Sequence, residues 1–317
     1  MVSLVPTSPF QGENIFTKKA DIMLKEYRKA QKIISEKLLN ANITPAAEWR
    51  YQSLMRQIED EVQKLNGIAA ITAKKSIADA LKRGAEAAQK RLKDMGVVKK
   101  RLDIDFVLLN RRTVEVIAQQ MAIDLMAAND SIKRMAAGYL RATQQKVLTE
   151  QAINEQIAQG VIQGATRRTV SDALFGDFIS RMDGEKFIHI NGRDYQPSKY
   201  AELVARTRTR EAASAGTINT CEAYGCDLVQ VSIHEHKDCE GDRCPEFAGK
   251  IFSISGDSSD FPKLTKMPPF HPNCAHVLLP VSEDALRLRG QYETLVDFSN
   301  GEKEIDSVSE YSDMVSA

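Results

Sequence analysis

The sequence predicts a chain that is mainly α over its N-terminal two-thirds, in long helices, followed by a small α+β C-terminal domain. Three observations carry this reading. None of the ten prolines falls between Pro45 and Pro197, and proline breaks helix interiors, so a long stretch rich in Ala, Gln, Lys, Glu and Leu without it reads as helix. Leu54, Ile58, Val62 and Leu65 recur at spacings of four, four and three, and no aromatic residue occurs between Tyr51 and Phe106. This pattern suits a narrow helical seam rather than a thick core. Near residue 185 the texture changes, and Asn191-Gly192 separates two short β-prone runs, the strongest hairpin signal in the chain.

In chain order, helices are expected at about 15–41, 46–95, 99–128, 130–159 and 167–183. The breaks rest on the segment from Asn42 to Pro45, on Met95-Gly96, on Asn129-Asp130 and on the glycines 160 and 164, all turn or breaker chemistry. Thr169 followed by Asp172 resembles a capping box with Asp in place of Glu. After the hairpin, a helix is expected over about 198–224, then strands at Leu228 to Ile233, Lys250 to Ile254 and His276 to Leu279. The stretch from Phe298 carries Glu302, Glu304, Asp306, Glu310 and Asp313 against Lys303 and reads as flexible. The expected division is a long-helix region over 1–95, a helical region over 96–184, an α+β domain over 185–290 and an acidic tail over 291–317. No repeated sequence accompanies the helices, so a solenoid is not expected.

With 43 basic and 43 acidic side chains in 317 residues, the formal charge is zero, and a nucleic-acid or membrane surface must rest on local patches. The N-terminal residues lack a basic region followed by an apolar one, and no run reaches the roughly 18 apolar residues of a membrane span. The expectation is a soluble product without a membrane span. All five cysteines lie between 221 and 274, which is not the distribution of a secreted disulfide scaffold. Cys221 and Cys226, at the end of a predicted helix, read as small buried structural thiols.

The remaining cysteines form the one cluster that points to specialised chemistry. Cys239 and Cys244 lie in one loop, His271 and Cys274 in another. Zinc takes four Cys and His ligands in a tetrahedral shell, commonly as two close pairs on separate loops. The second pair has the two-residue gap of a tight turn; the first has four intervening residues. His234, His236 and His276 are candidate substitutes. The competing reading is a Pro-rich loop in which His271 makes ordinary hydrogen bonds and the thiols are simply buried. A catalytic zinc is disfavoured: a deaminase needs His-x-Glu and Pro-Cys-x-x-Cys, and a zincin needs His-Glu-x-x-His, none of which is present. A structural zinc staple is the expectation, and no catalytic residue is assigned.

Between Lys74 and Arg101 ten basic residues face three acidic ones. Lys74, Lys75, Lys82, Arg83, Lys90, Arg91, Lys93, Lys99, Lys100 and Arg101 are candidates for non-specific contact with double-stranded DNA, the ordinary alternative being a solvated helix face. Arg206 and Arg210 share a helix face one turn apart, with Glu202 one turn before Arg206, and a helix-packing ion pair is the preferred reading there over a DNA contact.

Four blocks occur in order: Tyr200 to Ala212 with its Arg206-Thr207-Arg208-Thr209-Arg210 run, Tyr224 to His234, Cys244 to Gly256, and Pro268 to His276. Together they resemble the phage minor capsid (minor head) proteins related to the Mu F-like head-morphogenesis family. Arg206, Thr207, Gly249, His271, Pro272 and Cys274 match its signature. The chain departs from it in the wide Cys239/Cys244 spacing, where members often have Cys-x-x-Cys, and in Ala275, where Arg is usual. The resemblance covers roughly 185–282. It implies a non-enzymatic virion component at the capsid interior or portal vertex, assembled in the host cytoplasm. Portal protein, major capsid or scaffold protein and, non-specifically, double-stranded DNA are the implied partners, and head assembly with DNA packaging or delivery the implied role. Two other classes compete: a metal-dependent enzyme acting on nucleic acid or a host molecule, and a zinc-bearing nucleic-acid-binding regulator.

Overall fold

A computed structural model describes residues 18–39, 48–98, 108–145, 188–190, 193–195, 197–233, 244–271, 274–301, 304–305 and 307–316. Three long helices come first, α1 (Lys18–Leu39), α2 (Glu48–Asp94) and α3 (Leu108–Gln145). They are followed by β1 (Ile188–Ile190), β2 (Arg193–Tyr195) and α4 (Pro197–Ala223). The remainder is β3 (Leu228–Val231), β4 (Ile251–Ser253), β5 (Leu278–Val281), α5 (Glu283–Leu288), α6 (Tyr292–Asn300) and α7 (Val308–Ser316). The helical N-terminal part and the small α+β C-terminal part are therefore both present. The expected helix over 167–183 and the part of that over 130–159 beyond Gln145 lie outside the described residues.

The described residues fall into two compact units, one drawing on 21–71 and 122–202, the other on 72–121 and 203–317. In the first, the seam read from sequence is a real core. Ile58, Val62, Leu65 and Ala69 are buried on α2, as are Met23, Tyr27 and Ile34 on α1 and Leu125, Ala128 and Ile132 on α3. The helix break expected at Asn129-Asp130 does not occur, since α3 continues to Gln145. Asn129 is fully buried and its Nδ2 donates to Asn66 Oδ1 at 2.6 Å. Its amide is spent on a neighbouring helix, so it does not compete for its own backbone as an exposed turn Asn does. In the same unit β1 and β2 pair antiparallel with Ile190 opposite Arg193, the two-residue hairpin register that Asn-Gly predicts.

The second unit is built on an antiparallel three-stranded sheet of order β4-β3-β5. Both faces are covered, which is why the strands read as continuous apolar runs. Val229, Val231, Phe252 and Leu278 join Leu92 of α2 and Cys221 of α4 on one face. Leu228, Ile251 and Val281 join Phe261, Leu295, Phe298 and Tyr311 on the other. The acidic stretch expected to be flexible forms α7, and Tyr311 is fully buried. Val308, Tyr311, Met314 and Val315 pack on one face at helical spacing, a signal that the surrounding charges masked. Gln230, buried on β3, donates from Nε2 to Gly249 O at 2.8 Å and to Tyr311 Oη at 2.7 Å, tying α7 to the sheet.

α2 and α4 cross at backbone contact in this unit. A Cβ on Gly84 would lie 2.0 Å from Ala213 O, and one on Gly216 2.2 Å from Leu81 O, so glycine is required at both. Polar bridges flank the crossing: Asn219 Nδ2 donates to Asn110 Oδ1 at 2.8 Å, and Gln89 Nε2 to Tyr224 Oη at 2.6 Å.

Candidate metal centre

Cys244 opens a tight turn in which the N–H groups of Phe247 and Ala248 both donate to its carbonyl at 3.0 Å. The turn closes at Gly249, whose φ of +75° favours a residue without Cβ, and whose N–H reaches Val231 O at 3.1 Å. The thiol of Cys244 is thereby fixed against β3. The facing segment descends from His271 into β5. Its entry is held by Cys274 N–H on His271 O at 3.1 Å, and its exit by Ser232 and Val277, which bond reciprocally through Ser232 N–H to Val277 O at 2.9 Å and Val277 N–H to Ser232 Oγ at 3.0 Å.

Cys274 and His276 stand two residues apart in this extended segment, so their side chains leave on the same side. Cys244 Sγ lies 3.8 Å from Cys274 Sγ, which lies 3.4 Å from His276 Nδ1. The three ligand atoms are within 4.8 Å of one another, and all three side chains are fully buried. Phe247 and Phe270 stack beside them with centroids 4.5 Å apart. The hydrogen bond from Cys244 draws the Cys274 thiol down to about 3 against the opposing effect of burial, with His276 adding in the same direction. Arg210 Nη1 donates to Cys274 O at 2.5 Å. Burial lowers the Arg210 pKa while the neighbouring Cys274 charge raises it.

The Cys244–Cys274 and Cys274–His276 separations fit a tetrahedral metal. With bonds of about 2.3 Å to sulfur and about 2.0–2.1 Å to nitrogen, tetrahedral edges come to about 3.8 Å for S–S and about 3.5 Å for S–N. Of the expected ligands, Cys244 and Cys274 are brought together. His276, named as a substitute, joins them, while half-buried His271 is not part of the described cluster. Cys239, His234, His236 and Pro272 lie outside the described residues. The two-residue gap between His271 and Cys274 drew attention in the sequence, yet the one-residue gap of Cys274-Ala275-His276 is the spacing that an extended segment turns into a shared face. Arg210 was the residue of this site that ligand counting does not find.

The basic candidates divide. Lys74, Lys75, Lys90 and Lys93 are exposed on α2, and Lys82 and Arg83 are half-buried, with Arg83 3.9 Å from Asp79. Arg91 leaves the set: its Nε donates to Pro280 O at 2.9 Å, and burial pushes its pKa down to about 10, so it fastens α2 to β5. Lys99, Lys100 and Arg101 lie outside the described residues. Arg206 and Thr207 sit on α4 next to Thr209, whose hydroxyl donates back to Ala205 O at 2.7 Å. No described helix is long and apolar enough to cross a membrane.

No curated protein and no solved structure matches the chain. The family model described as phage minor capsid protein 2 matches residues 18–309, which takes in the long helices, the sheet and the Cys244/Cys274/His276 cluster and stops after the first two residues of α7. That span covers nearly the whole described fold, and the chain belongs to the phage minor capsid protein 2 family.

Proposed function

We propose that this minor capsid protein is a non-enzymatic assembly component of the phage head, working at the capsid interior or portal vertex through its long helices. Its sheet unit would be stapled by zinc. The observation that carries the reading is the family match over residues 18–309, joined to the burial of every side chain in the metal-ligand cluster. A catalytic zinc keeps a position open to water and substrate, whereas a structural zinc is closed. Cys244, Cys274 and His276, each without exposed surface, suit the closed kind. They would hold the ion between the turn at 244–249 and the segment entering β5, both of which are anchored on β3 through Gly249 N–H to Val231 O and the Ser232/Val277 pair.

Portal, major capsid or scaffold protein are the proposed partners, and head assembly with DNA packaging or delivery the proposed role. The exposed lysines 74, 75, 90 and 93 on α2 supply a non-specific contact with double-stranded DNA. Four phosphate contacts give a log affinity that falls against log salt with a slope of about −3.6. A slope near zero in a filter-binding or anisotropy titration removes DNA from the partners.

Quantitative mass spectrometry of purified particles tests the main reading, as a ratio of this chain to portal and major capsid protein. A low, portal-like copy number is expected. Absence from particles that contain portal protein overturns the virion role and leaves a transient assembly factor.

A further inference from the structure

Cys221 and Cys226 play no part in the metal cluster, yet the fold presses them together. Gly225, at φ +66°, ends α4 in the left-handed conformation. Gly225 N–H then donates to Glu222 O at 3.1 Å and Cys226 N–H to Cys221 O at 2.8 Å. These two bonds define a Schellman cap, in which the residue after the glycine packs against the one five positions earlier, normally as an apolar contact. Here both positions are cysteine. Their thiols hydrogen-bond to each other, which raises the Cys221 pKa and lowers that of Cys226. Cys226 keeps a little exposed surface, while Cys221 has none. Cys226 Sγ also lies 3.2 Å from Val281 O on β5.

We infer that Cys221 and Cys226 are a dithiol modification site, closed to a disulfide by small disulfide oxidants such as oxidised glutathione. The cap does the work of preorganisation, because a disulfide needs its two Cα atoms about 4.4–6.8 Å apart and a chain reversal of this kind holds the two residues side by side. In the reaction, the Cys226 thiolate attacks one sulfur of the oxidant, the oxidant's S–S bond breaks, and one glutathione thiolate leaves. Cys221 then loses its proton and attacks Cys226 Sγ, expelling the second glutathione. Two protein thiols give up two electrons and two protons, and one oxidant disulfide becomes two thiols. The bond would pin the end of α4 to the start of β3, beside the sheet face that carries the metal cluster. If the chain is carried in particles, it passes from a reducing cytoplasm to an oxidising exterior, and the closed form is the one expected outside. That compartment step rests on the proposed virion role; the dithiol chemistry does not.

The sequence makes the test clean, because the tryptic peptide from Glu211 to Lys237 contains these two cysteines and no other. Full-length protein is equilibrated natively in glutathione buffers from reducing to oxidising, acid-quenched, denatured, alkylated and digested. The expected result is that in oxidising buffer this peptide carries neither alkyl group and is two hydrogens lighter than its free dithiol form, and that prior reduction restores alkylation of both cysteines. Full alkylation of both cysteines in oxidising buffer overturns the inference, as does a cross-link from either one to Cys244 or Cys274. The order of attack is read from two variants. C221S should stop with glutathione on Cys226, whereas C226S should leave Cys221 alkylatable; glutathione on Cys221 at an equal or faster rate overturns the assignment of Cys226 as the attacking thiol.

Discussion

Gly249 stands at φ +75° under the ring of Tyr311, and a Cβ built there would lie 2.8 Å from two ring carbons. Gly249→Ala therefore meets two penalties, a left-handed backbone costing about 1–2 kcal/mol and overpacking costing about 1–3 kcal/mol. Gly290, at φ +69° with nothing within 4 Å of its Cβ position, meets only the first. Urea unfolding of the two alanine variants should show Gly249→Ala as the more destabilised by at least about 1 kcal/mol; equal midpoints would mean that Tyr311 moves aside at no cost. At this scale the sequence was half legible. Gly249 was recognisable as a signature position, but its reason lies 62 residues further on, in an α7 side chain that no local pattern connects to it. The metal cluster shows the same limit. Cys244 and Cys274 could be named, whereas choosing between His271 and His276 required knowing that the chain is extended after Cys274, because only then does a two-residue spacing share a face.

The long helices were legible as elements because proline scarcity and apolar spacing act over many residues and average out local exceptions. The break wrongly expected at Asn129 came from a single residue whose amide is used across the helix seam, a tertiary fact. The α2/α4 crossing is the element-scale feature that the sequence hid most fully, since Gly84 and Gly216 read as mere helix-weakening residues until a partner backbone is placed on them. Gly67, on the same α2, has nothing within 4 Å of its Cβ position. The three alanine substitutions should thus differ in sign. Gly67→Ala is expected to stabilise by about 0.5–1 kcal/mol through helix propensity. Gly84→Ala and Gly216→Ala are each expected to destabilise by about 1–3 kcal/mol or more, because a Cβ would have to displace backbone. Thermal unfolding followed by circular dichroism checks this, and a stabilising Gly84→Ala would show that the helices are not held at contact.

For the whole molecule, acid and metal act on the sheet-bearing unit by separable routes. Asp227 feels burial, which raises its pKa, but the hydrogen bonds from Ser253 Oγ at 2.5 Å and Ser255 N–H at 2.8 Å outweigh it, and the net shift is downward. Asp260 is lowered chiefly by the Tyr292 hydroxyl at 2.5 Å. A carboxylate held below its unfolded value of about 3.9 contributes stability that is complete above that pH and lost as pH falls through the folded value. The contribution of these two carboxylates to stability should accordingly be constant from pH 7 to about 5 and decline below about 4, so the difference in stability between the native chain and Asp227→Asn should shrink only below about pH 4; an unchanged acid limb in that variant would remove Asp227 from the cause. Zinc acts earlier and elsewhere. Its ligands must be deprotonated, and all three of those described lie between Cys244 and His276, on the unit that draws on 203–317. Treating metal-loaded protein with a strong chelator at pH 7 should raise amide hydrogen exchange over 244–281 and leave α2 over 48–71, in the other unit, unchanged. Cys274→Ala should show the same raised exchange with or without chelator. Uniform exchange in loaded and chelated protein would mean that the cluster is two buried thiols and a histidine, held by packing alone.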